Sequence, residues 1–363
     1  MNKLEELIEG LCPSGVEYAP LGKVCVIGKG TQFNKSDMNK AGTYPVINGG
    51  INPSGYIEKY NQKENTITIS QGGASAGYVN WIKVKFWAGA HCYVLAPMNS
   101  ILNRYLFHFI KSQEYRLQEC QYGAGIPALS KATVSDLIIP VPPLPVQEEI
   151  VRILDNFTEL TAELTAELTA RKIQYEYYRN HLLIGNDVPQ MTLKDVCNNI
   201  FSGKNKKRLD SGEYPVYGST GIISTTDTPI YDQEQILIAR VGANAGYVHI
   251  ASGEYDVSDN TLIVDLKSCV LLKYIYYQLS NMNLHQYAKG GGQPLVTAGQ
   301  LKEILIPVPT LEAQAKIIEI LDRFYSLCNS ISDGLPAEID ARQKQYEYYR
   351  DKLLSFDNVG VPS

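Results

Sequence analysis

Arg171 to Leu183 reads RKIQYEYYRNHLL and Arg342 to Leu354 reads RQKQYEYYRDKLL, identical at 9 of 13 positions across a separation of 171 residues. Two further echoes keep the same order. Gly73 to Val79 (GASAGYV) returns as Gly242 to Val248 (GANAGYV), and Ile139 to Leu144 (IPVPPL) returns as Ile306 to Leu311 (IPVPTL). Stacked repeats have periods of about 20 to 50 residues, whereas a period near 170 is the size of a domain. The 363-residue chain is therefore a tandem duplication, and an internal pseudo-twofold suits a target that itself has two parts.

Each half runs from a β-rich, glycine-punctuated region into a helical one. Asn65 to Ser70, Tyr78 to Val84 and Cys92 to Ala96 have strand composition and Ile101 to Glu119 has helical spacing; Ile236 to Ala239, Tyr247 to Ile250, Thr261 to Asp265 and Val270 to Tyr287 are their counterparts. A proline-rich stop follows, Pro140 to Pro145 or Pro307 to Leu311, which is excluded from a sheet interior and suits entry into a helix. Beyond it an apolar seam runs through Ile150, Ile153, Leu154, Phe157, Leu160, Leu164, Leu168, Tyr175, Tyr178 and Leu182. The second copy continues through Ile317, Ile320, Leu321, Phe324, Leu327 and Ile331, then Ile339, Tyr346, Tyr349 and Leu353, with a kink or break expected at Gly334 and Pro336. A helix of about 38 residues is about 57 Å long, and so thin a seam suits pairing with its own duplicate, antiparallel under a pseudo-twofold.

The two spacers differ in length. Phe157 to Arg171 spans 14 residues and Phe324 to Arg342 spans 18, and the first contains the tandem tetrapeptides Thr161-Ala-Glu-Leu164 and Thr165-Ala-Glu-Leu168. Four residues are close to one helical turn, so such a unit changes length by about 6 Å with about 40° of phase error. The helix has the construction of a ruler.

The formal net charge of -5 hides a division: residues 21 to 145 carry +6, residues 146 to 183 carry -3, and residues 184 to 311 and 312 to 354 carry -2 each. The first β-rich half keeps the cationic balance of a nucleic-acid surface while the helical segments are acidic. Seven cysteines without a C-x-x-C pair argue for reduced thiols and against a zinc site. No stretch approaches the roughly 20 apolar residues of a membrane helix, and the acidic amphipathic start is unlike a signal peptide, so a cytoplasmic protein with no membrane partner is expected.

Two unlike β-rich domains, each followed by a helix ending in QYEYYR (Gln174 to Arg179, Gln345 to Arg350) and joined by junctions Pro140 to Ile150 and Pro307 to Ile317, resemble the specificity subunits of type I restriction-modification systems. The opening Leu11 to Val24 and the TAEL repeats are similar to that family as well. The resemblance implies a mixed α/β (α+β) fold of two pseudo-twofold-related target-recognition domains separated by two long antiparallel coiled-coil helices. It divides the chain into an N-terminal segment 1–20, recognition domain 21–145, spacer helix 146–184, recognition domain 185–311, spacer helix 312–356 and tail 357–363. It implies a subunit without chemistry of its own that reads bipartite double-stranded DNA, with two methyltransferase subunits docked along the helices and restriction subunits beyond them. S-adenosylmethionine, ATP and Mg would then belong to the partners, and this chain would bind no cofactor. The residues alone agree on the missing chemistry: the sequence has no P-loop, no G-x-G-x-x-G after a strand, no Asn-Pro-Pro-Tyr and no H-E-x-x-H. His91 of the first copy aligns with Asn260 of the second, which cannot titrate. A duplicated adaptor or decoy, or a stand-alone DNA-modifying enzyme, are the alternatives left open.

Three pairs of segments are candidates for DNA contact. Lys29, Gln32, Asn34 and Lys35 align with Lys204, Asn205, Lys206, Lys207 and Arg208; long cations suit phosphate, and Gln, Asn and Arg carry the paired groups that read base edges. Gln71 and Ser75 align with Arg240 and Asn244 on one small-residue frame, where exchanged side chains would read different bases, Gln suiting adenine and Arg guanine. The loops Tyr122 to Ser130 and Lys289 to Thr297 come third, with Gln293 and Lys289 in the second. A solvated loop and a tight glycine turn are the competing readings. Tyr177 and Tyr348 lie off the helical seam, where aromatic residues suit a partner-docking surface.

Overall fold

The computed structural model describes residues 3–34, 36, 38, 39, 42–123, 125, 127–185, 188–206, 209, 211–290, 292–330 and 332–356. They fall into two compact units, one of residues 1–164 with 338–363 and the other of residues 165–337. Neither unit is a simple half of the chain, because the first recruits the last helix.

In the first unit a four-stranded antiparallel sheet has the order Cys25–Lys29, Cys92–Pro97, Thr66–Ser70, Val79–Ile82. A second sheet places Tyr44–Ile47 between Gly55–Ile57, antiparallel, and Trp87–Ala88, parallel. The other unit repeats both. Cys197–Ser202, Thr261–Leu266, Gln235–Ala239 and Val248–Ala251 form its four-stranded sheet, and Tyr214–Gly218 lies between Gly221–Thr226 and Asp256–Val257 in its three-stranded one. The inner strands are covered on both faces: Ile67, Ile69 and Leu95, and likewise Ile236, Leu237 and Ile238, are fully or almost fully buried, and Cys92–Pro97 and Gln235–Ala239 accordingly read as nearly continuous apolar runs. The strands expected from composition form within one or two residues of their predicted ends. The helical stretches are shorter than their spacing promised, Asn103–Ser112 with Glu114–Glu119 in one unit and Leu272–Asn281 in the other.

The first spacer is a single helix, Leu144–Ile184, of 41 residues, about 61 Å at 1.5 Å per residue. Pro145 lies in its first turn, where no N–H is needed, and the helix ends against Gly185 at φ +51°. The second spacer is broken, as Gly334 and Pro336 foretell, into Leu311–Asn329 and Leu335–Leu353. A Cβ on Gly334 would stand 2.8–2.9 Å from the carbonyl oxygens of Ser326, Leu327 and Ser330, so only glycine fits there.

Helix pairing repeats in both units with exchanged roles. Phe157 stacks on Tyr349 at 5.3 Å in the first, and Tyr178 stacks on Phe324 at 5.5 Å in the second. Phe324 is the duplicate of Phe157 and Tyr349 that of Tyr178, so each unit pairs the phenylalanine of one copy with the tyrosine of the other. In the second unit Phe324 meets Tyr178 while Cys328 feels the charges of Lys172 and Arg171. The paired numbers run in opposite senses, so these segments are antiparallel.

The domain in each unit is clamped to its helix by the same polar groups. Gln147, fully buried, accepts from the Leu102 N–H at 2.8 Å and donates to the carbonyls of Ser100 and Pro142. Its duplicate Gln314 accepts from the Leu271 N–H at 2.8 Å and donates to those of Cys269 and Pro309. Asp155 takes Arg104 at 2.7 Å and His108 at 2.8 Å, and Asp322 takes Lys273 at 2.6 Å and Tyr277 at 2.5 Å. Burial would raise Asp155, but the hydrogen bonds from His108 and Arg104 hold it below the ordinary carboxylate value. His108 is held low by its own burial; as the neutral ring it donates to Asp155 while its Nδ1 accepts from Tyr346 Oη at 3.0 Å.

Residues 3–20 pack into the first unit. The helix Lys3–Leu11 buries Leu4 in the first unit's core beside Cys12 and Val16, and Tyr18–Pro20 pairs with Ile138–Pro140. Tyr18 Oη donates to the Phe356 carbonyl at 2.8 Å.

Candidate nucleic-acid interface

Gly73 and Gly77 sit at φ +82° and +88°, and Gly242 and Gly246 at +82° and +90°. That left-handed backbone is strained for any residue with a Cβ. The turns they make are superimposable in their hydrogen bonds. Ala76 N–H donates to Gly73 O, Gly77 to Ser70 and Tyr78 to Ser75; Ala245 donates to Gly242, Gly246 to Ala239 and Tyr247 to Asn244, all at 2.8–3.0 Å. Gly77 also lies where a Cβ would come within 3.1 Å of the Leu117–Gln118 backbone, and Gly246 within 2.6 Å of that of Leu284–His285. The glycines are thus structural, and what varies between copies is the side chains they display.

The third candidate loops are tied directly to these turns. Gln71 N–H donates to the His91 carbonyl, Leu129 N–H to the Gln71 carbonyl and Gly73 N–H to that of Pro127. In the duplicate, Arg240 donates to Asn260, Val296 to Arg240 and Gly242 to Pro294. Tyr122 with Ala128, and Lys289 with Leu295, close the loops by reciprocal backbone bonds. The first candidate segment joins through Gly30 N–H to Cys92 O and Thr31 N–H to Ala88 O in one unit, and Gly203 to Thr261 and Asn205 to Val257 in the other. Three segments far apart in sequence therefore meet at one end of each four-stranded sheet.

Among the candidates, Lys29, Gln32, Asn34, Lys204, Lys206, Asn244 and Gln293 are exposed, and Lys289 with them. Lys35, Lys207 and Arg208 lie outside the described residues. Ser75 is half-buried. Arg240 is half-buried and spends one Nη1 donor on the Asp259 carbonyl at 3.3 Å. One candidate is committed inward: Asn205 donates to the buried carboxylate of Asp256 at 2.6 Å. Gln71 is half-buried, and its Oε1 has no partner among the described residues. His91 is exposed beside Gln71. Residue spacing did not single out Tyr122 and Tyr247, both more than half exposed, one in the loop and one closing the turn; the signal was an aromatic next to a glycine turn, which composition alone reads as a strand start.

Off the helix seam, Tyr177 is 64% exposed and stacks on His181, and Tyr348 is 63% exposed with its edge against Tyr349. Ile173, 65% exposed, lies one turn before Tyr177. Among the described residues no group of three or more His, Cys, Asp or Glu is placed to hold a metal ion, and no helix is long and apolar enough to cross a membrane.

A family model of the type I restriction modification DNA specificity domain matches residues 13–171 and again residues 186–341. A putative type I restriction enzyme specificity subunit of Haemophilus influenzae is 34% identical, covering 97% of this chain and 98% of that protein. The Escherichia coli EcoR124I/EcoR124II specificity subunit is 32% identical over 98% of this chain and 97% of its own length. Among solved structures, the S subunit of a type I restriction-modification system from M. genitalium aligns over 93% of this chain and 95% of that one at a TM-score of 0.59 and 20% identity. A chain from a study of type I complex assembly aligns over 94% of this chain and 97% of its own at 0.61 and 15%; these two show the fold.

Proposed function

The chain belongs to the family of type I restriction-modification DNA specificity subunits, non-catalytic DNA-recognition proteins, and carries two copies of the family's specificity domain; on that premise we propose that it reads a bipartite duplex target with one domain per half-site. The observation that carries this reading is the pair of turns with one backbone and two side-chain sets, Gln71 and Ser75 in one, Arg240 and Asn244 in the other. A common frame that exchanges hydrogen-bonding groups is how two similar domains come to prefer different bases. Exposed Lys29, Lys204 and Lys206 are assigned to phosphates, which position the domain without reading sequence.

Two methyltransferase subunits are assigned to the helices, with Tyr177 and Tyr348 as duplicated contacts, and restriction subunits complete the complex in the cytoplasm. S-adenosylmethionine, ATP and Mg are assigned to those partners. The test is to map methylated motifs in cells with and without this chain. A two-part motif with an unread gap that disappears with the chain is expected. Unchanged methylation, together with no sequence-specific shift of duplex DNA by the chain plus partners, would overturn the reading in favour of an adaptor, and methylation by the purified chain alone would make it an enzyme.

A further inference from the structure

The duplication provides an internal control for a cavity in the second unit. About 630 Å³ of space lies between the end of the first spacer helix, the domain helix Leu272–Asn281 and the helix Leu311–Asn329, lined by Tyr175, Arg179, His249, Ile250, Tyr276 and Tyr325 among others. In the first unit the corresponding place holds a bulkier side chain. Ile250 is replaced there by Trp81, whose indole packs 5.4 Å from Phe107, with the Arg104 guanidinium 4.8 Å from the indole and 4.7 Å from the Phe107 ring. The second unit thus keeps the architecture and lacks the bicyclic ring.

Charge differs at the same place. Arg350 of the first unit is paired with the neighbouring Asp351 carboxylate at 2.8 Å. Its duplicate Arg179 is followed by Asn180, which cannot neutralise it. The Arg179 guanidinium still lies over its tyrosine, 5.5 Å from the Tyr175 ring as Arg350 is 5.7 Å from Tyr346. Its Nε, however, is buried with no partner among the described residues. His249 turns its ring to the other face of the sheet, 5.5 Å from the Tyr217 ring, so its side chain offers the cavity no donor or acceptor. The Asp322 carboxylate in the wall is already taken by Lys273 and Tyr277. Glu176 and Lys172 also line the cavity.

A missing indole and an arginine without a neighbouring carboxylate partner define one kind of occupant. We propose that this cavity is a ligand site for an anionic bicyclic aromatic molecule, the chemistry of a free purine mononucleotide, with the ring where Trp81 sits in the first unit and the phosphate on Arg179. The volume is in the range of pockets that enclose small ligands. Stacking on tyrosine is available to any base, and Arg suits phosphate geometry. The site lies apart from the segments assigned to DNA, so the proposal does not rest on the recognition reading.

The experiment is calorimetric titration of the full chain with AMP and GMP, with adenosine and ribose 5-phosphate as part-ligands. Saturable binding of one mononucleotide per chain is expected, weakened about tenfold or more for either part-ligand. Ile250→Trp, which restores the ring of the first copy, should abolish it, and Asn180→Asp, an exposed change that gives Arg179 the partner Arg350 has, should weaken it. The second variant keeps the test valid if the tryptophan disturbs folding. Absence of saturable binding at millimolar nucleotide overturns the proposal, as does binding that both variants leave unchanged.

Discussion

Arg240→Ala separates base reading from simple charge. The Arg240 backbone is fixed on both sides, its N–H on the Asn260 carbonyl and its carbonyl on the Val296 N–H, so truncation leaves the turn in place. One Nη1 donor is engaged by the Asp259 carbonyl at 3.3 Å; of the five N–H donors of a guanidinium, four remain for DNA. Losing the long, half-exposed bond to Asp259 costs the fold at most about 1 kcal/mol. Losing a bidentate contact to guanine costs binding about 1–3 kcal/mol, or about 5- to 160-fold in affinity, and only at one position of the half-site read by the second domain. The assay is competition among duplexes that differ at single base pairs, repeated at several salt concentrations. The variant should bind the cognate duplex less tightly, lose discrimination at that one position, and keep its salt slope. Lys206→Ala, by contrast, should weaken all sequences alike and make the slope shallower by about one. If Arg240→Ala also weakens every duplex equally and reduces the slope, the residue is a phosphate contact and the exchanged-side-chain argument fails.

Gln314→Leu should cost about 2–5 kcal/mol of stability, since it leaves the Leu271 N–H and the carbonyls of Cys269 and Pro309 unsatisfied; Gln147→Leu should cost the same, and a loss under about 1 kcal/mol in denaturant unfolding would remove the clamp role. Tyr177→Ala or Tyr348→Ala, both on exposed positions, should leave the melting temperature unchanged and reduce by one the methyltransferase subunits that native mass measurement counts on the co-expressed complex. An unchanged count would move the docking surface elsewhere. Inserting one more Thr-Ala-Glu-Leu after Leu168 adds about 6 Å to the first spacer helix; with tilt and DNA twist absorbing part, the methylated motif should keep both half-sites while its unread gap grows by about one base pair, or at most two. Efficient methylation at the original spacing would show that the helix does not set the gap, and altered half-sites that recognition is not modular.

The sequence by itself determined whatever depends on local pattern or on comparing the copies. Alternating and continuous apolar runs marked Thr66–Ser70, Cys92–Pro97 and their duplicates. The three-and-four spacing marked the helix Leu144–Ile184, the pair Gly334 and Pro336 marked the break in its duplicate, and the off-seam place of Tyr177 and Tyr348 predicted their exposure. These are consequences of backbone geometry over a few residues, which neighbouring side chains report. Tertiary structure alone decided which distant groups meet. Trp87–Ala88 and Asp256–Val257 are two-residue parallel strands too short to carry a periodic signal, and only their partners make them strands. Asn205 looked free to read a base until Asp256 was found beside it, and nothing in LPVQEEIV says that Gln147 is fully buried against Leu102. A polar side chain's role depends on which donors and acceptors chain folding brings within about 3 Å of it, and that proximity, unlike periodicity, is not written in the residues on either side.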